Sequence, residues 1–597
     1  MKAAYASYRQ VVALLPLKAR RFLRFYSVSL GLLAILDAAA LGLLAVVITP
    51  LVAQTSVVLP VVGAVEGAGL FVLLGLVCAL IILKGVLALT LIWAATRRFA
   101  QYELLMGDQL LNSYLTSSWA DRLKRNSSDL IRISDLGIAN TIAGFLLPFA
   151  TLLGEAMTFI TVVAVLAVVQ PLIAAITLVY LLLVGAILYF WISRRAQEAG
   201  RVGMRSSLRV SRLITEMVGA LKEITLRNKS REVARVVQDT RVHAARARAN
   251  IYFLGAVPRF VLEAALVGGF VLVGSAGFLV GGATQAVTAI ALFALAGFRM
   301  TPSIQRFQAV STQVINNLPH AEAVIADIHS SKVLEQEHLA KDEVELSASP
   351  RSLDLHSVGF RYDPTSEPAI SDVSLSIPFG STVAVVGASG AGKSTLIDLI
   401  LGLIEPSTGE ISIDGIPIRD VTRSWRSRVG YVPQEVSLFD GSVAQNVALT
   451  WTNAFDRERV VAALEQAQLF DTISGRFGGI DGRIGERGLA LSGGQRQRLG
   501  IARALYAQPL VLVLDEATSA LDTATEAAVS DAIRTLRGQV TTVTVAHRLA
   551  TIKHSDQIFF MSGGRVAASG TFDELIAQVP EFANQAALAG LAEDPTK

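Results

Sequence analysis

The chain has 597 residues, 52% of them hydrophobic and only 17% charged, against roughly 25% charged in soluble proteins. The length exceeds one ordinary core, and the charge deficit lies almost wholly before residue 310, so a lipid-compatible half precedes a water-compatible one. Net charge is a modest +4, and the single cysteine, Cys78, sits in an apolar run, which excludes a disulfide framework and a cysteine metal site.

The N-terminal stretch "MKAAYASYRQVVALLPLKARRFLRFYSVSL" lacks the short apolar core and small-residue cleavage site of a signal peptide. It reads as a retained, basic amphipathic lead-in. Six segments then satisfy the requirement of about 20 apolar residues per span: about 27–52, 68–95, 138–168, 172–193, 251–280 and 285–303. Pro171 makes a tight turn between the third and fourth, and "VGGAT" joins the fifth and sixth. The first outer loop, "AQTSVVLPVVGAVEGAG", is long enough for a short apolar helix on the outer surface.

Lysine and arginine set the orientation. The segment to Tyr26 carries 6, the loop from Arg97 to Asp135 carries 6 and the connection from Arg194 to Asn250 carries 14, whereas the loops near 53–67, 169–171 and 281–284 carry none. Both termini are therefore expected in the cytoplasm. The two long, charged connections read as helices continuing past the membrane, bent at "SSWADRLKRNSSDLIR" and "LKEITLRNKSREV".

A charged connector at 329–350 separates a membrane domain, 1–328, from a soluble domain, 351–585, with a tail at 586–597. In the soluble domain the strand "STVAVVG" runs into "GASGAGKST": Gly387, Ala388, Ser389, Gly390, Ala391, Gly392, Lys393, Ser394 and Thr395. Glycines let backbone N–H groups wrap phosphates, Lys393 reaches the terminal phosphates and Ser394 is placed to ligate magnesium. A helix then points its positive end at the same anion. "PLVLVLDEATSALD" ends a buried strand in Asp515, a magnesium ligand directly or through water, and Glu516, a candidate general base for the attacking water.

"LSGGQRQRLGIARAL" places Ser492, Gly493, Gly494 and Gln495 before a long helix, a second anion site. One nucleotide has no use for two such sites in one monomer, but two copies facing head to tail do. With these motifs in order, the soluble half resembles the nucleotide-binding domain of ATP-binding-cassette transporters. Six spans fused before one such domain resemble an exporter half-transporter: a helical membrane bundle followed by an α/β phosphate-loop ATPase with a helical subdomain. The resemblance implies that Tyr362 in "VGFRYDP" stacks on adenine, and that Gln434 in "YVPQEVSLF" senses magnesium and the membrane domain. "IGERG" from Ile484 to Gly488 matches the motif that touches the coupling helices. The resemblance also implies that Asp522 lies across the dimer seam and that His547 contacts the terminal phosphate. ATP and Mg2+ are the implied cofactors, and a second copy the implied partner, with a heterodimer as the alternative. Nucleic acid is excluded as a partner by the six spans.

Within the spans, Lys84, Arg259 and Arg299 lie roughly 24, 31 and 21 Å from the outer ends at about 1.5 Å per residue, and Arg306 falls just below. Intramembrane ions normally face a cavity or a partner. A basic belt around an inward-open cavity suits a phosphate or pyrophosphate lipid. The competing reading is a structural network in which Asp37 and Glu263 neutralise the cations, or snorkelling of Lys84 and Arg306. The runs "PRFVLE" and "FRMTPSIQRF" with the first outer loop resemble bacterial lipid-linked oligosaccharide flippases. That resemblance implies outward movement of a lipid-linked saccharide in a bacterial inner membrane. A hydrophobic drug or peptide exporter is the alternative, and an ATP-gated regulator or channel a third reading.

Overall fold

Apolar runs without breakers become uninterrupted helices in the computed structural model. It describes residues 2–53, 57–59, 63–65, 68–123, 127–169, 171–339, 344–363, 365–485, 488–517, 523–546 and 548–591. These divide into two compact units, 1–117 with 123–335, and 118–122 with 336–597.

In the first unit, α1 (Lys2–Leu14) and α2 (Leu17–Ala53) meet at Pro16. Proline lacks the N–H that a helix interior uses but loses nothing at a first turn, and Ala19 N–H bonds back to the Pro16 carbonyl at 2.9 Å. The strands β1 (Val57–Leu59) and β2 (Gly63–Val65) form an antiparallel hairpin, with Val57 opposite Val65 and Leu59 opposite Gly63. This corrects the helix expected for the outer loop. Consecutive valines favour pleated backbone.

Then follow α3 (Ala68–Thr116), α4 (Trp119–Leu123), α5 (Ser127–Arg132), α6 (Leu147–Val169), α7 (Pro171–Gly219), α8 (Leu221–Leu226) and α9 (Ser230–Leu339). Two π-helical stretches, Ile133–Gly137 and Asn140–Leu146, lead into α6. In the second, the Thr141 hydroxyl donates to the Gly137 carbonyl at 2.7 Å. The nominal α9 is broken at Gly281 (φ −151°, ψ 23°) and Gly282 (φ 74°, ψ −162°), which is the turn between the fifth and sixth apolar runs.

Among the described residues, four helical stretches are long and apolar enough to cross a membrane: Phe71–Thr116, Asn140–Ala164, Ala175–Gly219 and Ser230–Leu279. The other two apolar runs, 27–52 and 285–303, lie in α2 and in α9 beyond Gly282. Small residues allow the helices to approach closely: a side chain at Gly200 would strike the Asn316 carbonyl, and one at Gly154 would meet Leu30.

The second unit holds two sheets. β3 (Ser352–Phe360), β4 (Ile370–Pro378), β6 (Thr408–Ile413) and β7 (Ile416–Pro417) make an antiparallel sheet in the order β4-β3-β6-β7. The larger sheet contains β5 (Thr382–Gly387), β8 (Val429–Val432), β9 (Val511–Asp515), β10 (Thr541–Val545), β11 (Gln557–Ser562) and β12 (Arg565–Gly570) in the order β12-β11-β5-β10-β9-β8. All its pairings are parallel except β11–β12. Central strands such as β9 and β5 are buried on both faces, which is why they read as continuous apolar runs.

The helices α10 (Lys393–Ile400), α11 (Thr422–Arg426), α12 (Val443–Ala448), α13 (Arg457–Gln466), α14 (Phe470–Ser474) and α15 (Gly493–Tyr506) follow in chain order. α12, α13 and α15 share a second core around Val447, Leu464 and Leu499. Arg503 ties that core to the loop after β8 by donating to the Asn446 and Ser437 carbonyls, both at 2.8 Å. The pentapeptide 118–122 belongs to this unit, and Trp119 and Ala120 pack on its main core.

Candidate functional site

The carboxyl ends of parallel strands collect the candidate residues, as open α/β sheets do. β5 ends at Gly387 and the loop turns through left-handed Gly390 (φ 81°) and Gly392 (φ 97°) into α10. A Cβ at Gly392 would sit 2.6 Å from the Ala369 carbonyl, so both conformation and space demand glycine. Lys393 opens α10, 7% exposed, and its Nζ donates to the carbonyls of Gly387 at 2.7 Å and Ala388 at 3.0 Å. Burial lowers the ammonium's affinity for its proton, while the charges of Glu516 and Asp515 hold it up. A lysine kept charged by two carboxylates beside an open loop is equipped to meet phosphate.

Ala388, Ser389 and Gly390 are exposed, as is Ser394, one residue into the helix. Thr395 is buried, and its hydroxyl lies 3.1 Å from the Tyr362 hydroxyl. Phe360 meets the Tyr362 ring edge-on, 88° between planes and 4.9 Å between centroids. Tyr362 is thereby fixed at one end while 40% of its surface stays open to a flat ligand.

Opposite, β9 delivers Asp515 and Glu516. Glu516 has φ 49°, a left-handed conformation that a non-glycine residue adopts at a cost, and its N–H donates to the Val545 carbonyl at 3.0 Å. Gln434 Nε2 donates to Glu516 Oε2 at 2.8 Å, and the Tyr431 hydroxyl donates to Asp515 Oδ2 at 3.2 Å. Burial, reinforced by Asp515, pushes the Tyr431 phenol well above its ordinary value and keeps it a donor. Asp398 on α10 is pushed up to about 6, first by burial, then by the charge of Asp515, and is drawn back by a hydrogen bond from Trp119.

Ser394, Gln434 and Asp515 present oxygen donors only, and no group of three or more metal-ligating side chains occurs among the described residues. That sparse, hard set fits magnesium, which takes one or two carboxylates and draws its other ligands from phosphates and water.

Ser492 caps α15: its hydroxyl accepts from Gln495 N at 3.3 Å, and Gln495 Oε1 accepts from Ser492 N at 3.0 Å. Ser492 and Gly493 remain exposed, with Gly494 and Gln495 partly so. Asp522 and His547 fall outside the described residues, as do two residues of the "IGERG" motif. The sequence reading missed Tyr431, Asp398 and Trp119. The aromatic in "YVPQ" was a readable signal for the first; the other two meet only through the fold.

In the first unit, Lys84 is half-buried, and Arg259 pairs with Glu263 at 3.0 Å one turn on. The acid facing Arg306 is Glu155, at 3.8 Å. The Asp37 and Arg299 side chains lie outside the described residues.

Residues 370–519 match the ABC transporter family model. This segment is an ABC transporter domain. The chain is 43% identical over 288 residues to a β-(1→2)glucan export ATP-binding/permease protein of Rhodopseudomonas palustris, covering 47% of each. It is 40% identical over 299 residues, half of each chain, to an ATP-dependent lipid A-core flippase of Chromobacterium violaceum. A putative multidrug export ATP-binding/permease protein of Staphylococcus aureus is 45% identical over 227 residues, 38% of this chain and 39% of that one. In these matches the chain spans about half or less of its relatives' length. A solved bacterial Atm1-family ABC exporter with ATP bound superposes with TM-score 0.75 over 98% of this chain and 100% of that one, at 22% identity. The chain therefore has the exporter fold: a helical membrane domain followed by an ABC cassette.

Proposed function

We propose that this protein is an ATP-driven exporter or flippase, working as a homodimer, that moves a phosphate-bearing amphipathic lipid across the membrane. The observation that carries the ATPase part is the contact of Gln434 with Glu516, 2.8 Å, beside Lys393 and Asp515. Tyr362 offers a face to the adenine, the 387–395 loop wraps the phosphates, and Lys393 meets the terminal ones. Glu516, oriented by Gln434, accepts a proton from the water that attacks the terminal phosphate. Magnesium, when bound by Ser394, Gln434 and Asp515, neutralises phosphate charge. Ser492 and Gly493, exposed on their own cassette, are placed to complete the site of a second copy, with Asp522 and His547 in the roles implied by the resemblance. Closing two cassettes on ATP and reopening them after hydrolysis is a rigid-body switch suited to alternating access.

The lipid part rests on the cations Lys84, Arg259, Arg299 and Arg306. Arg259 and Arg306 contact carboxylates through Nε while their side chains stay 71% and 59% exposed, so they retain surface for phosphate oxygens. The distribution of positive charge supports cytoplasmic termini, and an orientation of that kind suits a bacterial inner membrane. The second reading, a hydrophobic-compound exporter, is favoured by an apolar cavity of about 370 Å³ among Phe159, Tyr189, Phe190 and Phe307.

The test is ATP-dependent movement of a fluorescent polyprenyl-pyrophosphate saccharide in reconstituted vesicles, with Glu516→Gln and Arg299→Ala. Wild-type movement lost in both variants, with basal ATPase kept in Arg299→Ala, supports the lipid reading. Dye clearance without lipid movement establishes the second reading instead.

A further inference from the structure

Where the fourth apolar run ends and the fifth begins, α7 and α9 line a cavity of about 460 Å³ that shares no residue with the nucleotide site. Its walls are Trp191, Arg195 and Glu198 from α7, and His243, Arg246 and Phe253 from α9. The α7 residues recur at four- and three-residue intervals, and the α9 residues at three and seven, so each set lies on one helix face. The helices run in opposite senses through the boundary of their apolar runs. Trp191 and Phe253 therefore form an aromatic layer at the span ends, and Arg195 and Arg246 a cationic layer farther out.

The spacing matches a bilayer. Arg195 lies two residues past the end of the fourth run and Arg246 five before the start of the fifth, about 3 and 8 Å along the helices. The polar headgroup region occupies roughly 5–8 Å on each side of the hydrocarbon. Charge favours an anion: the Arg195 guanidinium lies over the Trp191 ring at 4.2 Å, a geometry that holds the group in place while its N–H donors stay available. Among the described residues, no carboxylate lies within ion-pair distance of Arg195 or Arg246. Glu198 is the one carboxylate on the wall, against two guanidinium groups. His243 Nδ1 donates to the Asp239 carbonyl at 2.9 Å, so the ring is tethered to its own helix.

We propose that this cavity binds the phosphate of an anionic membrane phospholipid. Arg195 and Arg246 grip the phosphate oxygens, and the first carbons of the lipid chains lie on Trp191 and Phe253. The site is independent of the transported substrate. Basic pockets between spans at the membrane surface suit such headgroups, and arginine matches phosphate geometry better than a point charge does.

The test uses the full chain in vesicles of phosphatidylcholine containing a little phosphatidylglycerol with a photoactivatable group high on one acyl chain. Crosslinked peptides are mapped by mass spectrometry. Labelling should concentrate in residues 191–202 and 243–254, and fall roughly fivefold with Arg195→Gln or Arg246→Gln, each removing about one charge's worth of attraction. The double variant Arg195→Lys/Arg246→Lys, which keeps the charge, guards against misfolding and should retain most of the labelling. Equal labelling by the matching phosphatidylcholine probe overturns the proposal. So does labelling unchanged in the glutamine variants or lost in the double lysine variant. Displacement of the lipid probe by soluble glycerol 3-phosphate overturns it as well, because the cavity would then hold free phosphate rather than a lipid.

Discussion

Replacing Asp398 with asparagine should stabilise the cassette at neutral pH. The carboxyl is raised from 3.8 to about 6, chiefly by burial, so the folded state prefers the protonated form. That preference costs nothing below about pH 3.8, grows through the window from 3.8 to 6, and is fully present above it. The rise corresponds to about 3 kcal/mol, and because Asp398 is only half-buried, solvent screening reduces this to about 1–2 kcal/mol. Asparagine removes the charge and keeps an oxygen to accept from Trp119. Thermal unfolding of the full-length protein, without nucleotide or magnesium, can be followed by tryptophan fluorescence, since Trp425 is fully buried in the cassette core. Asp398→Asn should raise the cassette transition by about 2–8 °C at pH 7.5, at about 2–4 °C per kcal/mol. At pH 4.5 about a third of that gain should remain. No gain at pH 7.5, or an equal gain at both pH values, would refute burial of charge as the cause.

Three further outcomes follow from the same geometry. Trp425→Ala removes a fully buried ring whose Nε1 donates to the Ile400 carbonyl at 2.8 Å, and should cost about 3–5 kcal/mol, read as a lower cassette melting temperature. Gly500→Ala puts a Cβ 2.5 Å from Val436, two residues after Gln434; it should cost about 1–3 kcal/mol and reduce ATP turnover, measured as phosphate release. Tyr362→Ala should weaken ATP binding roughly 5- to 150-fold, the equivalent of about 1–3 kcal/mol for one stacked base, while Tyr362→Trp retains it in a fluorescent-nucleotide displacement assay.

The phosphate loop was legible in the sequence because its chemistry demands residue types at fixed spacing: glycines at 387, 390 and 392, then Lys393 and Ser394. The long helices were legible from uninterrupted apolar composition, and the break at Gly281 and Gly282 from paired glycines in a short polar gap. What resisted reading depends on elements far apart in the chain. Nothing around Arg306 singles out Glu155 as its partner, because the pair forms only when α6 and α9 pack. The paired strands 57–59 and 63–65 differ from the expected helix because apolar residues without charges satisfy both, and the valines are the better guide. Asp398 is one polar residue in an apolar helix until the fold brings Trp119 and Asp515 to it.

The assignment of residues 118–122 to the cassette's unit has a practical consequence. Trp119 and Ala120 cover part of the main cassette core, yet in sequence they sit more than 200 residues before it. A fragment beginning at the cassette's own first strand would leave that facet wet and sticky, inviting self-association at the bared patch. Soluble expression of the ATPase for crystallography or inhibitor screening should therefore improve when the pentapeptide is tethered back by a flexible leader, or when the bared patch is made polar.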